Sequence, residues 1–341
     1  MYLITLIDII MIDSIKLWIS AEELTSIDLM AELPLKLNSI STTTDDKTNR
    51  IIIKGYLNSL FVIITENGVT ISGSLSKYYY GNNMYTLSFS EIKSAFKMIE
   101  NQLGITIEKA RVQRLDISEN FIVDNPVYNY FSYLGELTYY KRQEMNNGIY
   151  YNGSNQTILF YDKVHERKLK REKVLDCYIG KNVFRYELRF EHRLGKLFDR
   201  KALYMSDLID ALFFSELVKR YMDQFQKIYK HKSLIHYSEL QINDRSQFWR
   251  QIKLRGIKEL GGESVLLQTV KQARKDKAFK SKMHATRITQ EIKRLYMNNP
   301  FTEVNTLVKE LEQKIPEKLN AYLLDNGLLF NAGIPEVCLF N

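Results

Sequence analysis

Cysteine is almost absent from this 341-residue sequence. Cys177 and Cys338 stand far apart with no metal-ligand spacing, which argues against a disulfide framework or a cysteine zinc site and fits a reducing compartment. The five histidines (His165, His192, His231, His236 and His284) never form a His-x-His pair. There is no Gly-x-x-x-x-Gly-Lys-Ser/Thr loop to cradle nucleotide phosphates, so an autonomous ATP-driven helicase is not expected. A Gly-x-Ser-x-Gly elbow and a His-Glu-x-x-His helix are also missing, which removes two common hydrolase chemistries. The most apolar stretch, "MYLITLIDIIMIDSIKLWI", is broken by Asp8, Asp13 and Lys16; that is too often for a membrane span, and no small-residue cleavage site follows. A cytoplasmic protein is the expectation. Met11 opens a second plausible start, so residues 1–10 read equally as a dispensable extension or as the beginning of an ordinary first strand.

What is present begins with charge. At 45% hydrophobic and 26% charged residues the composition is that of a soluble globular protein, and the length suggests two domains. The net charge of +8 is unevenly distributed: residues 161–300 hold 32 Lys plus Arg against 17 Asp plus Glu, a net +15 that leaves −7 for the remainder. A polyanion is the natural partner of such a surface, although a basic solvated helix carries the same signature.

Along the chain, "SISTTTDDKTN" (Ser39 to Asn49) is polar and rich in turn formers, and reads as a loop. The following "RIIIKGYLNSLFVIITENGVTISGSLS" reads as strands, with Glu66-Asn67-Gly68 a hairpin signal. Ser90 to Leu103 has helical spacing, with Ile92, Phe96, Ile99 and Leu103 on one stripe and Gly104 as the stop. Beyond Tyr204, "SDLIDALFFSELVKRYMDQFQKIYK" reads as an amphipathic helix capped at Ser206.

Three segments alternate more strictly. In "RVQRLDISENF", Leu115, Ile117 and Phe121 face one way and Arg114, Asp116, Ser118 and Asn120 the other. In "VFRYELRFEHR", Phe184, Tyr186, Leu188 and Phe190 oppose Arg185, Glu187, Arg189 and Glu191. In "TILFYDKVHE", Thr157, Leu159, Tyr161 and Lys163 share a side if the strand continues, opposite Ile158, Phe160 and Asp162. Period two gives each strand an apolar and a polar face. Were the three neighbours in one sheet, Asp116, Tyr161 and Glu187 would meet on one surface; an antiparallel sheet that merely turns one side to water would look the same.

Taken in order, "GSLSKYYYGNN", "RLDISENF", "YYNGSNQTILFYDKVHE", "FRYELRFEHRL" and "SQFWRQIKLRGI" resemble the filamentous-phage gene II replication proteins. They are also similar to the shorter core of certain rolling-circle plasmid initiators, over about Met11 to Ile257. The resemblance implies an α+β fold, with an antiparallel-sheet nicking and joining domain over 11–203 flanked by helices, and a mostly helical, basic DNA-binding region over 204–341. It implies a replication initiator whose tyrosine attacks one phosphodiester of supercoiled origin DNA, stays linked to the 5′ phosphate and leaves a free 3′ hydroxyl. Carried over by position, the nucleophile is Tyr161, and Asp116 and Glu187 bind Mg2+ or Mn2+, with Glu166 a third candidate. The implied partners are double-stranded origin DNA, the nicked single strand, and a host helicase and polymerase in a bacterial cytoplasm, with no membrane. Thr70, Ser72 and Ser74 stand where related initiators place a further carboxylate, so the ligand set departs from theirs.

These residue types suit the chemistry. A phenol with a pKa of about 10 needs a base or a nearby cation to act as a nucleophile near neutrality, and hard carboxylate oxygens suit a divalent ion that activates a phosphate. Lys163 could lower the phenol pKa or contact the phosphate. Lys77, Arg114, Arg185 and Arg189, with Arg250, Lys253 and Arg255 further on, are candidate DNA contacts. Tyr150 and Tyr151 are candidates for a second tyrosine in strand closure. Two rivals stay open: a relaxase of a mobile element with the same chemistry, and a non-catalytic origin-binding or regulatory protein whose polar sheet face merely docks DNA. For the residues themselves, Asp116 pairing with Arg114 or Arg189 and Glu187 in an exposed ion pair are the plain alternatives.

Overall fold

The computed structural model describes residues 11–24, 27–230, 245–260, 262–296 and 306–325; residues 1–10, and with them the question of the first strand's beginning, lie outside these. By internal packing the chain divides into two units, Met1–Tyr229 with Glu310–Asn341, and Lys230–Lys309.

The first unit is built on one antiparallel sheet. Its strands are β1 (Ile12–Ser20), β2 (Asn38–Thr44), β3 (Ile51–Leu57), β4 (Leu60–Thr65), β5 (Gly68–Ser74), β6 (Arg111–Val123), β7 (Lys141–Met145), β8 (Gly148–Asn152), β9 (Gln156–Asp162) and β10 (Asn182–Phe190), in the order β2-β3-β4-β5-β1-β6-β10-β9-β8-β7. The three strictly alternating segments are therefore the adjacent central strands β6, β10 and β9. The helices of this unit are α1 (Leu75–Tyr80), α2 (Phe89–Leu103), α3 (Tyr128–Phe131), α4 (Lys163–Leu169), α5 (Leu194–Leu197), α6 (Met205–Leu208) and α7 (Ala211–Lys227). The other unit carries α8 (Arg245–Glu259), α9 (Gly262–Lys275) and α10 (Lys282–Tyr296); α11 (Thr306–Asp325) leads back to the first.

The apolar face of the central strands carries the core. Leu115, Ile117, Phe160, Phe184, Tyr186 and Leu188 are all buried, and α7 lies against them through Tyr221, whose ring stacks on Tyr186 at 3.9 Å. Each of these two tyrosines donates its hydroxyl to the other's backbone carbonyl (3.0 and 2.7 Å), which satisfies two polar groups inside the core. α2 forms as its stripe predicts, with Ser88 and Glu91 in a capping box and Gly104 left-handed at φ 67°. At the β4–β5 hairpin Gly68 has φ 148°, and a Cβ there would lie 2.0 Å from the Ile19 carbonyl oxygen, so no side chain fits.

Two elements differ from those expected. The segment read as a loop contains β2, an exposed edge strand paired to β3 from Ser41↔Lys54 to Thr44↔Ile51; its β-branched Thr42, Thr43 and Thr44 outweigh its polarity. The single helix expected after Tyr204 is two, because the Asp210 carboxylate accepts the Phe213 N–H (2.8 Å) and starts α7 afresh.

Among the described residues β1 follows β6 as far as Ile12↔Ile117, with the Met11 carbonyl accepting the Ser118 N–H, and α11 lies along the β6 segment beyond. Lys318 Nζ donates to the Asn120 carbonyl (2.7 Å) and to Glu119 Oε1 (2.8 Å), and Lys314 Nζ donates to the Ile122 carbonyl (3.0 Å). These bonds occupy carbonyls that a neighbouring strand would otherwise use. Glu119 sits on the apolar side of β6 and is itself buried, so Lys318 also supplies its counter-charge.

Candidate active site

Cross-strand register brings the predicted residues together. On β10, Arg185, Glu187 and Arg189 lie opposite Asn120, Ser118 and Asp116 of β6, and opposite Tyr161, Leu159 and Thr157 of β9. Asp116, Glu187 and Tyr161 thus share one face, as the alternation required. Much of that face is closed to water: Asp116, Ser118, Asn120, Arg185 and Glu187 are buried, while Tyr161, Arg114 and Arg189 are partly exposed. Met84, Val164 and Val183 pack together over part of it with Val174, Leu175 and Tyr178, and Asn120 Nδ2 donates to the Met84 carbonyl (3.0 Å). α4 and the segments around 84 and 174–178 are its lid.

β9 ends where Asp162 turns the chain. Its carboxylate accepts the His165 N–H (2.9 Å) and starts α4, so Lys163 begins a helix instead of continuing the strand. The turn holds Lys163 Nζ 5.8 Å from the Tyr161 ring centre. Lys163 is 1% exposed and bonded to Glu166 at 3.0 Å. Burial, reinforced by the Arg185 charge, pushes its pKa down to about 8 despite that pair. Glu166 is also paired with Lys170. Burial works to raise its pKa, but Lys163 and Lys170 outweigh burial and hold it below the ordinary value.

The Tyr161 hydroxyl donates to Glu187 Oε2 at 2.9 Å. Burial holds the phenol well above its usual pKa; Arg185 opposes this and Glu187 adds to it. Glu187 behaves the other way: burial works to raise its pKa, but Arg189 and Arg185, with hydrogen bonds from Arg189 and Tyr161, hold the carboxyl below its ordinary value. Arg189 Nε donates to Glu187 Oε1 (2.7 Å) and lies 4.0 Å from Asp116 Oδ2, linking the two carboxylates. Arg114 grips Asp116 through Nε and Nη2 (2.8 and 2.7 Å). Even so, burial raises the Asp116 pKa to about 6.

Arg185, expected as a DNA contact, is instead buried within the sheet's polar face, 1% exposed. It donates to Ser118 Oγ (2.6 Å) and Asn120 Oδ1 (3.1 Å) and pairs with Asp13 at 2.9 Å. Its Nε has no hydrogen-bond partner and stands 3.8 Å from Glu187 Oε2. Asp13 is the residue that the sequence reading did not assign to the site. It is the extra residue of a bulge between Ile12↔Ile117 and Ser14↔Asp116, and it accepts the Ser74 hydroxyl at 3.0 Å. The signal was present: Ile12 and Ile15 are both core residues, which a regular strand cannot place on one face. A carboxylate from β1 thus stands beside the serine of β5.

Other candidates lie as follows. Lys77 is on α1, paired with Glu172 at 3.1 Å. Tyr151 is buried in the core, its hydroxyl donating to the carbonyls of Leu134 and Gly135. Tyr150 lies opposite Leu159, on the Tyr161 face. Arg250, Lys253 and Arg255 are on α8 in the other unit. Among the described residues no three His, Cys, Asp or Glu side chains are grouped to share a metal ion, so Glu166 does not complete a triad with Asp116 and Glu187. No helix there is long and apolar enough to cross a membrane.

The Lys163 environment has a measurable consequence. The folded-state pKa of about 8 lies below the ordinary 10.5, so folding releases a proton between these values and stability rises with pH. Urea unfolding of wild type and Lys163→Met should show wild type gaining about 2 kcal/mol on the variant between pH 7.5 and 9.5. A constant difference across that range would place an ordinary ammonium at Lys163.

Fold and site together define a class: a protein with a long antiparallel sheet that gathers a partly buried tyrosine, buried carboxylates and arginines on one face. A family model described as the N-terminal part of the gene II type replication-associated protein matches residues 11–208. The match covers more than half of the chain and runs from β1 through α6, and the chain belongs to this family of phage replication-associated initiator proteins. No curated protein matches it.

Proposed function

We propose that the chain initiates rolling-circle replication by nicking and rejoining one strand of origin DNA through a covalent tyrosine intermediate. The observation that carries this reading is the bond from the Tyr161 hydroxyl to Glu187, a carboxylate kept ionised by Arg189 and Arg185. A phenol held well above its usual pKa is a poor nucleophile unless its proton leaves as the bond forms. Glu187 is within reach to take that proton, and the cationic Arg185 beside the phenol favours the oxygen as its charge develops. In the step, Tyr161 Oη bonds to the scissile phosphorus, the P–O3′ bond breaks, and the 3′ oxygen leaves as a hydroxyl after protonation. Lys163, whose ammonium is acidic for a lysine, can donate that proton. Rejoining is the reverse.

Asp116 and Glu187 fit a divalent ion. They are hard oxygen donors joined through one cationic side chain, Arg189, so the position between them already accommodates positive charge. Two carboxylates, with substrate phosphate and water completing the shell, is an ordinary arrangement for Mg2+. When bound, such an ion would polarise the phosphate and offset its growing charge. Arg189 holds Glu187 Oε1 at 2.7 Å and would have to yield that oxygen for both carboxylates to hold the ion.

The test is incubation with supercoiled plasmid carrying the cognate origin and Mg2+. Open circles with protein on the 5′ end are expected, and sequencing the adduct peptide should place the DNA on Tyr161. Binding to the origin without any nick would favour a non-catalytic origin-binding protein.

A further inference from the structure

The unit formed by residues 230–309 has its own small core, Ile257, Val270, Ala285 and Ile292 packed with Leu266, Leu267, Phe279 and Leu295. Outside that core, α8 and α10 enclose a groove of about 650 Å3. Trp249, Arg250 and Lys253 line it from α8, and Arg287, Glu291 and Arg294 from α10, at spacings that put each set on one helix face. Four cations face one carboxylate. Lys253 is spent on Glu291 (2.5 Å) and Arg250 donates to the Leu295 carbonyl (3.2 Å). Arg287 and Arg294 are exposed and make no ion pair among the described residues. Trp249 is 51% exposed, its ring touching Phe248 edge-on at 5.4 Å.

A large aromatic left in water on a cationic wall is unfavourable unless it meets an apolar, anionic ligand. Bases supply the flat apolar face and phosphates the charge, and only an unpaired strand frees its base faces for stacking. We infer that the groove between α8 and α10 binds single-stranded DNA, with Trp249 stacked on a base and Arg287 and Arg294 on flanking phosphates. The inference rests on the proposed function for the source of the strand, since nicking releases one; the groove itself is independent of Tyr161.

The experiment uses the full chain, a fluorescein-labelled oligothymidylate of about ten nucleotides and a duplex of equal length. The oligothymidylate should quench tryptophan fluorescence. Trp249→Phe should lose most of the quench while keeping affinity within about threefold, and Trp249→Ala should weaken single-strand binding about tenfold with duplex affinity unchanged. Replacing Arg287 and Arg294 by alanine should flatten the slope of log K against log salt by about 1.4. Unchanged helical circular dichroism excludes unfolding. The inference is overturned if Trp249→Ala weakens both DNAs alike, or neither. No strand is cut in this assay, so its failure leaves the nicking reading standing, and absence of nicking leaves the binding measurement valid.

Discussion

Tyr161→Phe is expected to abolish the covalent protein–DNA adduct, lowering nicking by more than about a thousandfold, while the protein stays folded. The ring remains in the β9 turn, and only the bond from the hydroxyl to Glu187 is lost. A hydrogen bond to a charged acceptor contributes about 1.5–3 kcal/mol, and Glu187 keeps Arg189 at 2.7 Å, so the cost should fall at the low end. Tyr151→Phe is the control: that hydroxyl bonds two loop carbonyls inside the core, so the variant should lose stability and still form the adduct. Gel shift of denatured, nuclease-trimmed protein reads both. An adduct persisting in the Tyr161→Phe variant would move the nucleophile elsewhere, with Tyr150, on the same face, the first residue to examine.

The parts of this site visible in the sequence were those governed by strand periodicity. Arg114, Asp116, Ser118 and Asn120 had to share a side because side chains alternate along β6, and the same rule grouped Arg185, Glu187 and Arg189. Which strands were neighbours needed the fold, since register depends on long-range pairing. Asp13 was obscured by the same rule: a bulge shifts the period by one, so a carboxylate in an apolar segment looked like an interruption of a hydrophobic run. Burial of the polar face was also hidden, because α4 and residues 174–178 cover it by tertiary contact. That cover changes the chemistry. On an open face the Asp116–Arg114 and Glu187–Arg189 pairs would be nearly neutral surface ion pairs; under the lid, their protonation states depend on one another.

Arg185→Met should be the most destabilising single substitution at this face. Methionine approximates the length of the arginine stem, so the loss is chiefly electrostatic: Asp13 loses its ion pair and Glu187 loses a guanidinium 3.8 Å away, both with little access to water. Removing one partner of a buried ion pair typically costs about 3–5 kcal/mol, or a fall in Tm of about 10 °C for a unit of this size. Calorimetry or thermal circular dichroism would measure it. Asp13→Asn on the same background tests the cause. If Arg185 acts through Asp13, removing that carboxylate should recover part of the loss, giving a coupling of about 1–3 kcal/mol in a double-mutant cycle. Additive costs would mean instead that Arg185 matters through Ser118 and Asn120. The same substitution should depress nicking at temperatures where the variant remains folded, because it withdraws the cation that opposes the raised Tyr161 pKa. Arg185→Lys separates the two effects: it keeps a positive charge beside the phenol but cannot reach Asp13, Ser118 and Asn120 together, so activity should be retained better than stability.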